Sequence, residues 1–390
     1  MKFWIPGRSS PEPWDYEREV RYRTSLENTG RETEINSKNS RNDSIKSRNR
    51  GEQNMIKNIY LIAAFGLMGF TAIGCGDGAG NSSKANSLAA VPPEAPAETA
   101  RNQTRIEERV IKVAYLPITH ALAGFEAAEQ EKLKKETGLN IELVRFGSWT
   151  ELIDALNTGR VDAAFALAEL VMKAREQGID VYLSTLAHRD GNVIVVGKDI
   201  ASASDLRGKT FAIPHRQSSH YILLNEALAK EGLTVNDVNI VEMAPPEMPS
   251  ALAAGQISGY CVAEPFGARA VSLDIGKVLY NSQELWPDSV CCGLAISGRF
   301  LKEHPELASR LVAAVKKAGI SLDSDHDHEK ELASRYFKVS PDTLDLSLKW
   351  ISFQDLDISR EQYESLREKV IKYGLSEKPS AYEDIVRNVE

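Results

Sequence analysis

This sequence of 390 residues has only four cysteines and lacks the short motifs that mark common enzyme classes. Four cysteines are too few for a disulfide scaffold in a chain of this length. There is no P-loop, no Gly-x-Gly-x-x-Gly fingerprint, no Gly-x-Ser-x-Gly elbow and no spaced Cys/His zinc pattern. A repeat of about 20–50 residues is also absent, which argues against a solenoid. Nucleotide-dependent and hydrolytic enzymes therefore receive no support from motifs.

Positive charge is in deficit, with 47 Lys and Arg against 55 Asp and Glu and a net charge of −8. An acidic balance argues against nucleic acid or an anionic lipid surface as partner. It does not argue against a small anion held in a local pocket. After Cys75 only Cys261, Cys291 and Cys292 remain, and the sequence leaves open whether Cys261 pairs with either of the other two.

An apolar run without charge, Ile59–Ile73, stands well inside the chain behind a short basic segment. Its 15 residues are fewer than the about 20 that a transmembrane helix needs. A basic start, an apolar centre and a small residue before the end are typical of a secretory signal peptide. The ending Gly74-Cys75 resembles a bacterial lipobox, whose cysteine becomes the lipidated first residue. We therefore predict a lipoprotein signal peptide over 55–74 and lipidation at Cys75, with a buried apolar helix as the alternative.

The segments on either side of this signal do not have the composition of a folded domain. Residues 1–54 are rich in charged residues, Ser and Asn, and such segments cannot bury enough apolar surface to offset the entropy of ordering. Since a signal peptide works poorly 54 residues inside a chain, we predict that translation starts at Met55 and that 1–54 is a non-native leader. A disordered cytoplasmic tail is the alternative. Residues 75–108, rich in Gly, Ser, Pro and Ala, are predicted to form a flexible tether.

From Val110 onward, strand-like and helix-like segments alternate. Strand patterns at 111–116 and 141–146 flank a helix pattern at 121–136, and the same scheme starts again near residue 200. Alternating βα units predict an α/β protein with parallel-rich sheets flanked by helices. The restart predicts two lobes. Lobe I is assigned residues 109–198 and 289–390, the latter including C-terminal helices, and lobe II is assigned residues 199–288.

Several segments of the body carry a family resemblance. Tyr115–His120 looks like a strand followed by a ligand loop, and Glu151–Asp162 contains a Gly-x-hydrophobic-Asp unit. With Ser219–Leu224, Met243–Met248 and Ala254–Phe266, they resemble the substrate-binding proteins of bacterial ABC importers for nitrate, bicarbonate and sulfonates. The order and spacing of these pieces cover residues 110–300. The resemblance implies a type II periplasmic-binding-protein-like fold, in which two lobes enclose a ligand cleft.

The resemblance also implies a function. It predicts an extracytoplasmic, lipid-anchored protein that captures a small solute and delivers it to a membrane permease and its ATPase. We expect a monomer without a cofactor and without a nucleic-acid partner, bound to the lipid bilayer through Cys75. The alternative is an enzyme of the same fold, a pyrimidine-precursor protein that uses Cys291, Cys292 and His220.

The predicted ligand site follows from where α/β sheets bind ligands, which is outside the carboxyl ends of their strands. The helix beginning near Ser219 offers free amide donors and a positive dipole end to an anionic oxygen. Ser218 and Ser219 add hydroxyl donors, and His220 adds a titratable group. The alternative is that Ser219 caps the helix and His220 fills the lobe interface. The predicted ligand-binding residues are Pro117, Thr119, His120, Ser148, Trp149, Ala168, His188, Arg189, Asn192, His215, Gln217, Ser218, Ser219, His220, Pro246, Glu264 and Pro265.

The sequence departs from the family where nitrate and bicarbonate binders carry a lysine shortly after Trp-x-Asp. Here Trp286-Pro287-Asp288 leads to Cys291 and Cys292 without a lysine. The missing charge disfavours a bare inorganic anion and favours an anionic or sulfonate-like organic solute whose head group is hydrogen-bonded. Either Arg189 or Arg216 is a candidate substitute for the lysine.

Two further clusters are interpreted as structural. Cys291 and Cys292 are taken as packing residues, although the pair weakly resembles the cysteine-rich motif of a pyrimidine-synthase branch of this superfamily. The run Asp323–Glu329 alternates carboxylates and imidazoles at a predicted helix start, where acidic side chains cap the helix and suit its dipole. We therefore predict no metal ligands.

Overall fold

The computed structural model describes residues 109–388. The predicted leader at 1–54, the signal peptide at 55–74, the lipidation site Cys75 and the tether to residue 108 lie outside the described residues, so they stay predictions. Within residues 109–388, none of the helices combines the length and the apolar composition that a membrane span requires.

Strands and helices alternate along the described chain, as the hydrophobic pattern predicts. The strands are β1 (Val110–Tyr115), β2 (Asn140–Arg145), β3 (Ala163–Leu167), β4 (Val181–Leu186), β5 (Arg189–Asp190), β6 (Asn192–Gly197), β7 (Thr210–Ile213), β8 (Asn239–Glu242), β9 (Gly259–Ala263), β10 (Gly276–Asn281), β11 (Cys292–Ser297) and β12 (Ile351–Ser352).

The helices cover both sheets and fill the C-terminal third of the chain. They are α1 (Leu122–Glu129), α2 (Glu131–Thr137), α3 (Trp149–Asn157), α4 (Ala168–Glu176), α5 (Ser219–Lys230), α6 (Met248–Ala253), α7 (Phe266–Ser272), α8 (Ser282–Leu285), α9 (Gly298–Glu303), α10 (Pro305–Ser324), α11 (His326–Tyr336), α12 (Pro341–Leu348), α13 (Arg360–Lys372) and α14 (Tyr382–Ile385). Short 3₁₀ turns occur at Thr119–Ala121, Ala203–Leu206, Val235–Asp237 and Pro245–Glu247.

The first sheet has the strand order β2-β1-β3-β11-β4. Strands β1, β2 and β3 are parallel, and β11 runs antiparallel between β3 and β4. Every residue of β3 is buried, as expected for a central strand whose two faces are covered by helices. The close packing depends on Gly124 in α1, because a Cβ there would lie 2.0 Å from the ring of Phe165.

The second sheet repeats this arrangement with the order β8-β7-β9-β6-β10. Strands β7, β8 and β9 are parallel, and β6 runs antiparallel between β9 and β10. Each sheet is therefore parallel-rich, with one antiparallel strand at the equivalent position. In the first sheet that strand, β11, comes from the later part of the chain, so the polypeptide passes between the sheets twice. This confirms the predicted type II two-lobed α/β fold.

One predicted boundary needs correction. The sequence analysis assigns residues up to 198 to lobe I, whereas β6 pairs with β9 in the second sheet, from Asn192 opposite Ala263 to Val196 opposite Gly259. The reason is that a buried apolar strand carries no sign of which sheet it joins. The first passage between the sheets therefore lies around Arg189–Asp190, which form a small two-stranded ladder with β12.

The C-terminal helices pack on both lobes. Helix α10 lies against α1 on the first sheet, and α12 lies against α7 on the second. Helix α13 is tied to α5 by Glu226, which accepts hydrogen bonds from Lys369 Nζ at 2.6 Å and from the Tyr373 hydroxyl at 2.7 Å. Beyond α14, Val386 forms an isolated bridge with Leu183 of β4.

Candidate functional site

The ends of strands from both sheets meet around one buried region. The first sheet contributes the residues that follow β1, β3 and β4. It also contributes the first residue of β11, because β11 is antiparallel and Cys292 pairs with Leu167 at the end of β3. From the second sheet come the residues after β7 and β9 and the first residue of β6, because Asn192 pairs with Ala263 at the end of β9. Binding at the carboxyl ends of parallel strands is the rule for α/β sheets. The convergent residues are Thr119, His120, Ala168, Glu169, His188, Asn192, Ser218, Ser219, His220, Glu264, Cys291 and Cys292.

Direct hydrogen bonds join the two lobes at this place. The backbone N–H and the hydroxyl of Thr119 both donate to the carbonyl oxygen of Glu264, at 2.9 and 3.1 Å. The N–H of Glu264 donates to the Gly191 carbonyl at 3.1 Å, and that carbonyl also lies 3.0 Å from His120 Nε2. The loop after β1 is therefore held against the end of β9 and the passage between the sheets.

Four side chains form the centre of the region, and we call His120, His188, Cys291 and Cys292 the His–Cys cluster. Each is at most 2% exposed, and one nitrogen or sulfur from each lies within 4.8 Å of the others. His120 Nδ1 is 3.5 Å from Cys292 Sγ and 3.8 Å from Cys291 Sγ, and the two sulfurs are 3.7 Å apart. The rings of His120 and His188 stack with centroids 3.5 Å apart. All three cysteines of the described chain are free thiols.

Polar groups without protein partners surround this cluster. The Ser219 hydroxyl donates to Cys291 Sγ at 3.0 Å. His220 has no hydrogen-bond partner on either ring nitrogen, and both side-chain oxygens of Glu169 and both side-chain polar atoms of Asn192 are also unpaired. These three side chains are 1% exposed or less. Because buried polar groups in native proteins nearly always have partners, such a concentration marks a place where ligand atoms bind.

Burial shifts the protonation of the imidazoles and carboxyls here. Desolvation lowers the pKa of His188 to about 4, helped by the neighbouring His120, and lowers the pKa of His220 to about 4. Desolvation also raises the pKa of Glu169 well above its usual range and that of Glu264 to about 8. At neutral pH the imidazoles of His188 and His220 are therefore uncharged and the carboxyl of Glu264 is mostly protonated, while burial disfavours the charged form of Glu169.

The two adjacent thiols are shifted in opposite directions. Burial disfavours a thiolate at Cys291, but the hydrogen bond with Cys292 and the imidazole of His120 outweigh it and hold the pKa of Cys291 well below its usual range. Burial and the neighbouring Cys291 raise the pKa of Cys292 well above its usual range. The surroundings therefore favour the thiolate, the form that binds metals and acts as a nucleophile, at Cys291 rather than at Cys292.

Within residues 109–388 no Lys or Arg is among the fully buried residues, and the guanidinium of Arg189, which directly follows His188, donates to the Asp355 carbonyl although its Nη1 is buried without a partner. A bare anion in the cluster would be desolvated without a countercharge, which is strongly unfavourable. The donor set of thiols, neutral imidazoles and carboxyls instead suits a cation or an uncharged hydrogen-bonding group.

A second group of predicted residues lines a neighbouring cavity rather than the cluster. Ser148, Trp149 and His215 border a cavity of about 190 Å³ together with Leu116 and Pro245. This is smaller than the about 300–1,000 Å³ of most small-molecule pockets. A larger cavity of about 440 Å³ lies by Gly159, Asp180 and Arg299. It is next to the first residue of β4, whereas the cluster lies beyond the last residue of that strand.

Other predicted residues make contacts outside the cluster. Arg189 Nε donates to the Asp355 carbonyl at 2.9 Å, so its guanidinium is held by the C-terminal segment. Gln217 Nε2 donates to the Leu375 carbonyl at 2.9 Å. Pro246 is exposed, Pro117 is half-buried, and Ala168 and Pro265 are buried.

The two adjacent serines before α5 divide their roles. The hydroxyl of Ser218 accepts from the Tyr221 N–H at 3.2 Å and caps the helix. Ser219 is the first helical residue, and its hydroxyl points to Cys291 instead. Capping is therefore done by Ser218, which leaves Ser219 free for the cluster. Arg216 does not replace the missing lysine, because its guanidinium donates to the Ile240 carbonyl at 3.2 Å.

The structure adds three residues that the predicted site omits. Glu169 directly follows the predicted residue Ala168, just after the end of a parallel strand. This position could have identified Glu169 as a candidate from the sequence. Cys291 and Cys292, interpreted as packing residues, contact His120 instead, which is 171 and 172 positions away in sequence. The carboxylate-imidazole run at 323–329 forms internal contacts: Asp325 caps α11, and His328 Nε2 lies 2.8 Å from the buried carboxyl of Glu126.

The paired sheets and the cluster between them define a two-lobed binding protein of the periplasmic type. Residues 104–336 match the NMT1-like family, and the chain belongs to that family.

Individual relatives agree with this assignment. The chain is 26% identical over 270 residues to the nitrate import ATP-binding protein NrtC of Synechocystis sp., covering 63% of this chain and 39% of that protein. It is 30% identical over 220 residues to the taurine-binding periplasmic protein of Escherichia coli, covering 55% and 66%. The chain thus spans less than two thirds of the length of these curated relatives. A ligand-binding component of an ABC-type import system from Staphylococcus aureus, solved with zinc bound, superposes with a TM-score of 0.67 at 35% identity, covering 72% of this chain and 97% of that one.

Proposed function

We propose that this protein is the extracytoplasmic solute-binding component of an ABC importer. In this role it holds a small ligand between its two lobes and presents it to a membrane permease served by an ATPase. A lipid on Cys75 tethers it to the cell membrane, and residues 75–108 give it reach. The E. coli relative named for taurine and the S. aureus import component support the class of function.

One observation carries the proposal, namely the buried polar region built from both lobes. Its central side chains are at most 2% exposed, so a ligand reaches them only when the lobes separate. A protein that must open to load and close to hold is suited to carriage rather than to permanent binding. Closure also lets a permease distinguish a loaded carrier from an empty one, since the ligand stabilises the closed form by its differential affinity.

The electrostatics of the region restrict the classes of ligand that it can bind. The predicted organic solute with a hydrogen-bonded head group remains a candidate, since Ser219, His220 and Asn192 offer donors and acceptors. A bare nitrate or bicarbonate ion is disfavoured, because none of the fully buried residues within 109–388 is Lys or Arg. The zinc bound to the S. aureus relative makes a divalent cation the other candidate for this chain.

A thermal-shift panel on the full chain tests the proposal. The ligands are nitrate, bicarbonate, taurine, an alkanesulfonate, a pyrimidine precursor and Zn²⁺. A ligand that binds only the folded state at about 100 times its Kd stabilises it by about 2.7 kcal/mol. We expect one of these ligands to raise the Tm of the wild type and to raise it less in the Ser219→Ala/His220→Ala variant. A ligand bound equally well by this variant would remove these residues from the site.

Product analysis separates carriage from catalysis. Cys291, Cys292 and His220 are also the groups that a pyrimidine-precursor enzyme of this fold would use; all three are buried, and Ser219, which precedes His220, donates to Cys291 Sγ. A carrier releases its ligand unchanged. Steady formation of a chemically altered product from any panel member would end the carrier proposal and establish the enzyme.

The anchor has its own test. Cys75→Ser removes the proposed lipidation site while leaving residues 109–388 intact, so the body should fold and leave the membrane fraction. A variant that still fractionates with membranes at the wild-type level and has the mature mass would refute the anchor.

A further inference from the structure

We propose that His120, His188, Cys291 and Cys292 form a four-coordinate site for a borderline-soft divalent cation, for which Zn²⁺ is the probe. The claim that this cation is the ligand the protein carries rests on the proposed function. The claim that the metal site exists does not. Two imidazoles and two sulfurs are the donor set that such ions prefer over oxygen-rich sites.

The distances within the cluster match the edges of a coordination tetrahedron. With Zn–S bonds of about 2.3 Å and Zn–N bonds of about 2.0–2.1 Å, a regular tetrahedron has S···S edges of about 3.8 Å and S···N edges of about 3.5 Å. The two sulfurs are 3.7 Å apart, and His120 Nδ1 lies 3.5 and 3.8 Å from them. An ion placed among these three atoms would therefore meet them at bonding distance with little rearrangement. One ring nitrogen of His188 lies within 4.8 Å of the other three atoms. Because the His188 ring stacks on that of His120 at 3.5 Å, it must turn to direct that nitrogen at the same ion.

The surroundings orient the ligands as they do in metal sites. A ligating histidine usually donates its second ring N–H to a carbonyl or carboxylate, which fixes the tautomer. His120 Nε2 lies 3.0 Å from the Gly191 carbonyl, so that nitrogen carries the proton and Nδ1 presents its lone pair to the sulfurs. The hydroxyl of Ser219 supports Cys291 Sγ in the same way.

Backbone bonds fix the cysteine pair. The Cys291 carbonyl accepts from the Ala168 N–H at 2.8 Å, and the Cys292 carbonyl accepts from the Ala187 N–H at 2.9 Å. The Sγ atoms are 3.7 Å apart, far from the about 2.0 Å of a disulfide. Both sulfurs are thus free to bind an ion, and they are held on rigid strand-end backbone.

The site joins the two lobes. His120 lies in the 3₁₀ turn after β1 and Cys292 begins β11, both in the first lobe, while His188 and Cys291 lie on the two segments that pass between the sheets. From the second lobe, Ser219 contacts Cys291 directly. An ion in the cluster would therefore favour the closed arrangement.

The experiment measures metal binding to the reduced full chain. Zn²⁺ affinity is determined by competition with a chromophoric chelator, and Co²⁺ reports the ligands through thiolate-to-metal charge transfer and the strong visible bands of tetrahedral Co²⁺. We expect one equivalent to bind the wild type, and at least about a hundredfold weaker binding with loss of the charge-transfer band in Cys291→Ser/Cys292→Ser. Cys261→Ser is the matched control, since it removes an equally buried free thiol in β9 outside the cluster and should keep wild-type affinity.

X-ray absorption at the zinc edge identifies the atoms bound to the metal in the wild type, so the test does not depend on the double variant folding. The wild type should show two sulfurs at about 2.3 Å and two nitrogens at about 2.0–2.1 Å. A shell of nitrogen and oxygen alone, or unchanged affinity in a folded double variant, overturns the site.

The outcomes also separate this inference from the receptor role. If taurine or an alkanesulfonate binds the cleft and Zn²⁺ does not, the metal site fails and the carrier survives. If Zn²⁺ binds through both sulfurs and the protein forms an altered product from a panel compound, the site stands and the carrier role fails.

Discussion

Glu264 offers a quantitative test of how burial shapes the cleft. Its side chain is 0% exposed at the end of β9, where the two carboxyl oxygens accept from the Ala268 N–H at 3.0 and 3.3 Å. Burial raises the pKa of this carboxyl to about 8 from the ordinary value of 4.5. Glu264→Gln keeps the shape and an acceptor for Ala268 but cannot ionise.

The sign of the effect follows from proton linkage. Below pH 4.5 the carboxyl is protonated in both the folded and the unfolded chain, so it adds no pH dependence to the free energy of unfolding. Between pH 4.5 and about 8 the unfolded chain loses the proton while the folded chain keeps it, so wild-type stability falls with pH. Each pH unit contributes about 1.4 kcal/mol, so the full loss approaches about 5 kcal/mol. Above pH 8 the contribution is constant.

The assay is urea unfolding of the full chain at several pH values from 4 to 9, followed by circular dichroism. The free energy of unfolding of Glu264→Gln should rise relative to wild type as pH increases from about 4.5 to 8 and then level off. Glu151→Gln, at an exposed position, is the control for replacing a surface glutamate. A difference between Glu264→Gln and wild type that does not vary with pH would refute the reasoning.

Two further predictions concern the first lobe. Gly124→Ala would place a Cβ 2.0 Å from the Phe165 ring and should destabilise the fold by about 1–3 kcal/mol in urea unfolding. Gly147→Ala is the control and should change the stability little, because its Cβ meets nothing closer than 3.7 Å. Equal effects of the two substitutions would refute the packing account. His328→Ala removes the imidazole 2.8 Å from the buried Glu126 carboxyl and should cost about 1–3 kcal/mol in thermal unfolding, and an unchanged Tm would show that this contact contributes nothing.

Local pattern was enough to predict the architecture. The alternation of strand and helix signals predicts two βα series, and the structure forms them as two sheets with equivalent strand order. The boundary at 198 was wrong because β6 is apolar along its length, and such a strand fits a central position in either sheet. Which sheet it joins is decided by the pairing partner, here β9, which lies more than sixty positions further along the chain.

The site could be predicted only in part, for a related reason. Thr119, His120, His188, Ser219 and His220 were found because they follow strand ends, which is a local signal. The role of the cysteine pair depends on a histidine far away in sequence, and adjacent cysteines match no spaced ligand motif. The contact of Arg189 with the Asp355 carbonyl could not be predicted, because the C-terminal segment that supplies this carbonyl has no recognisable sequence signature.

Anomalous diffraction tests most directly the central structural claim that the His–Cys cluster between the lobes is a binding site for a divalent cation. Crystals of the full chain grown with Zn²⁺ would be measured above and below the zinc absorption edge. The account predicts one anomalous peak inside the His–Cys cluster, about 2.3 Å from the Sγ atoms of Cys291 and Cys292 and about 2.0–2.1 Å from a ring nitrogen of His120 and of His188. Zinc found only on surface carboxylates and histidines, with the cluster free of anomalous signal, would contradict it.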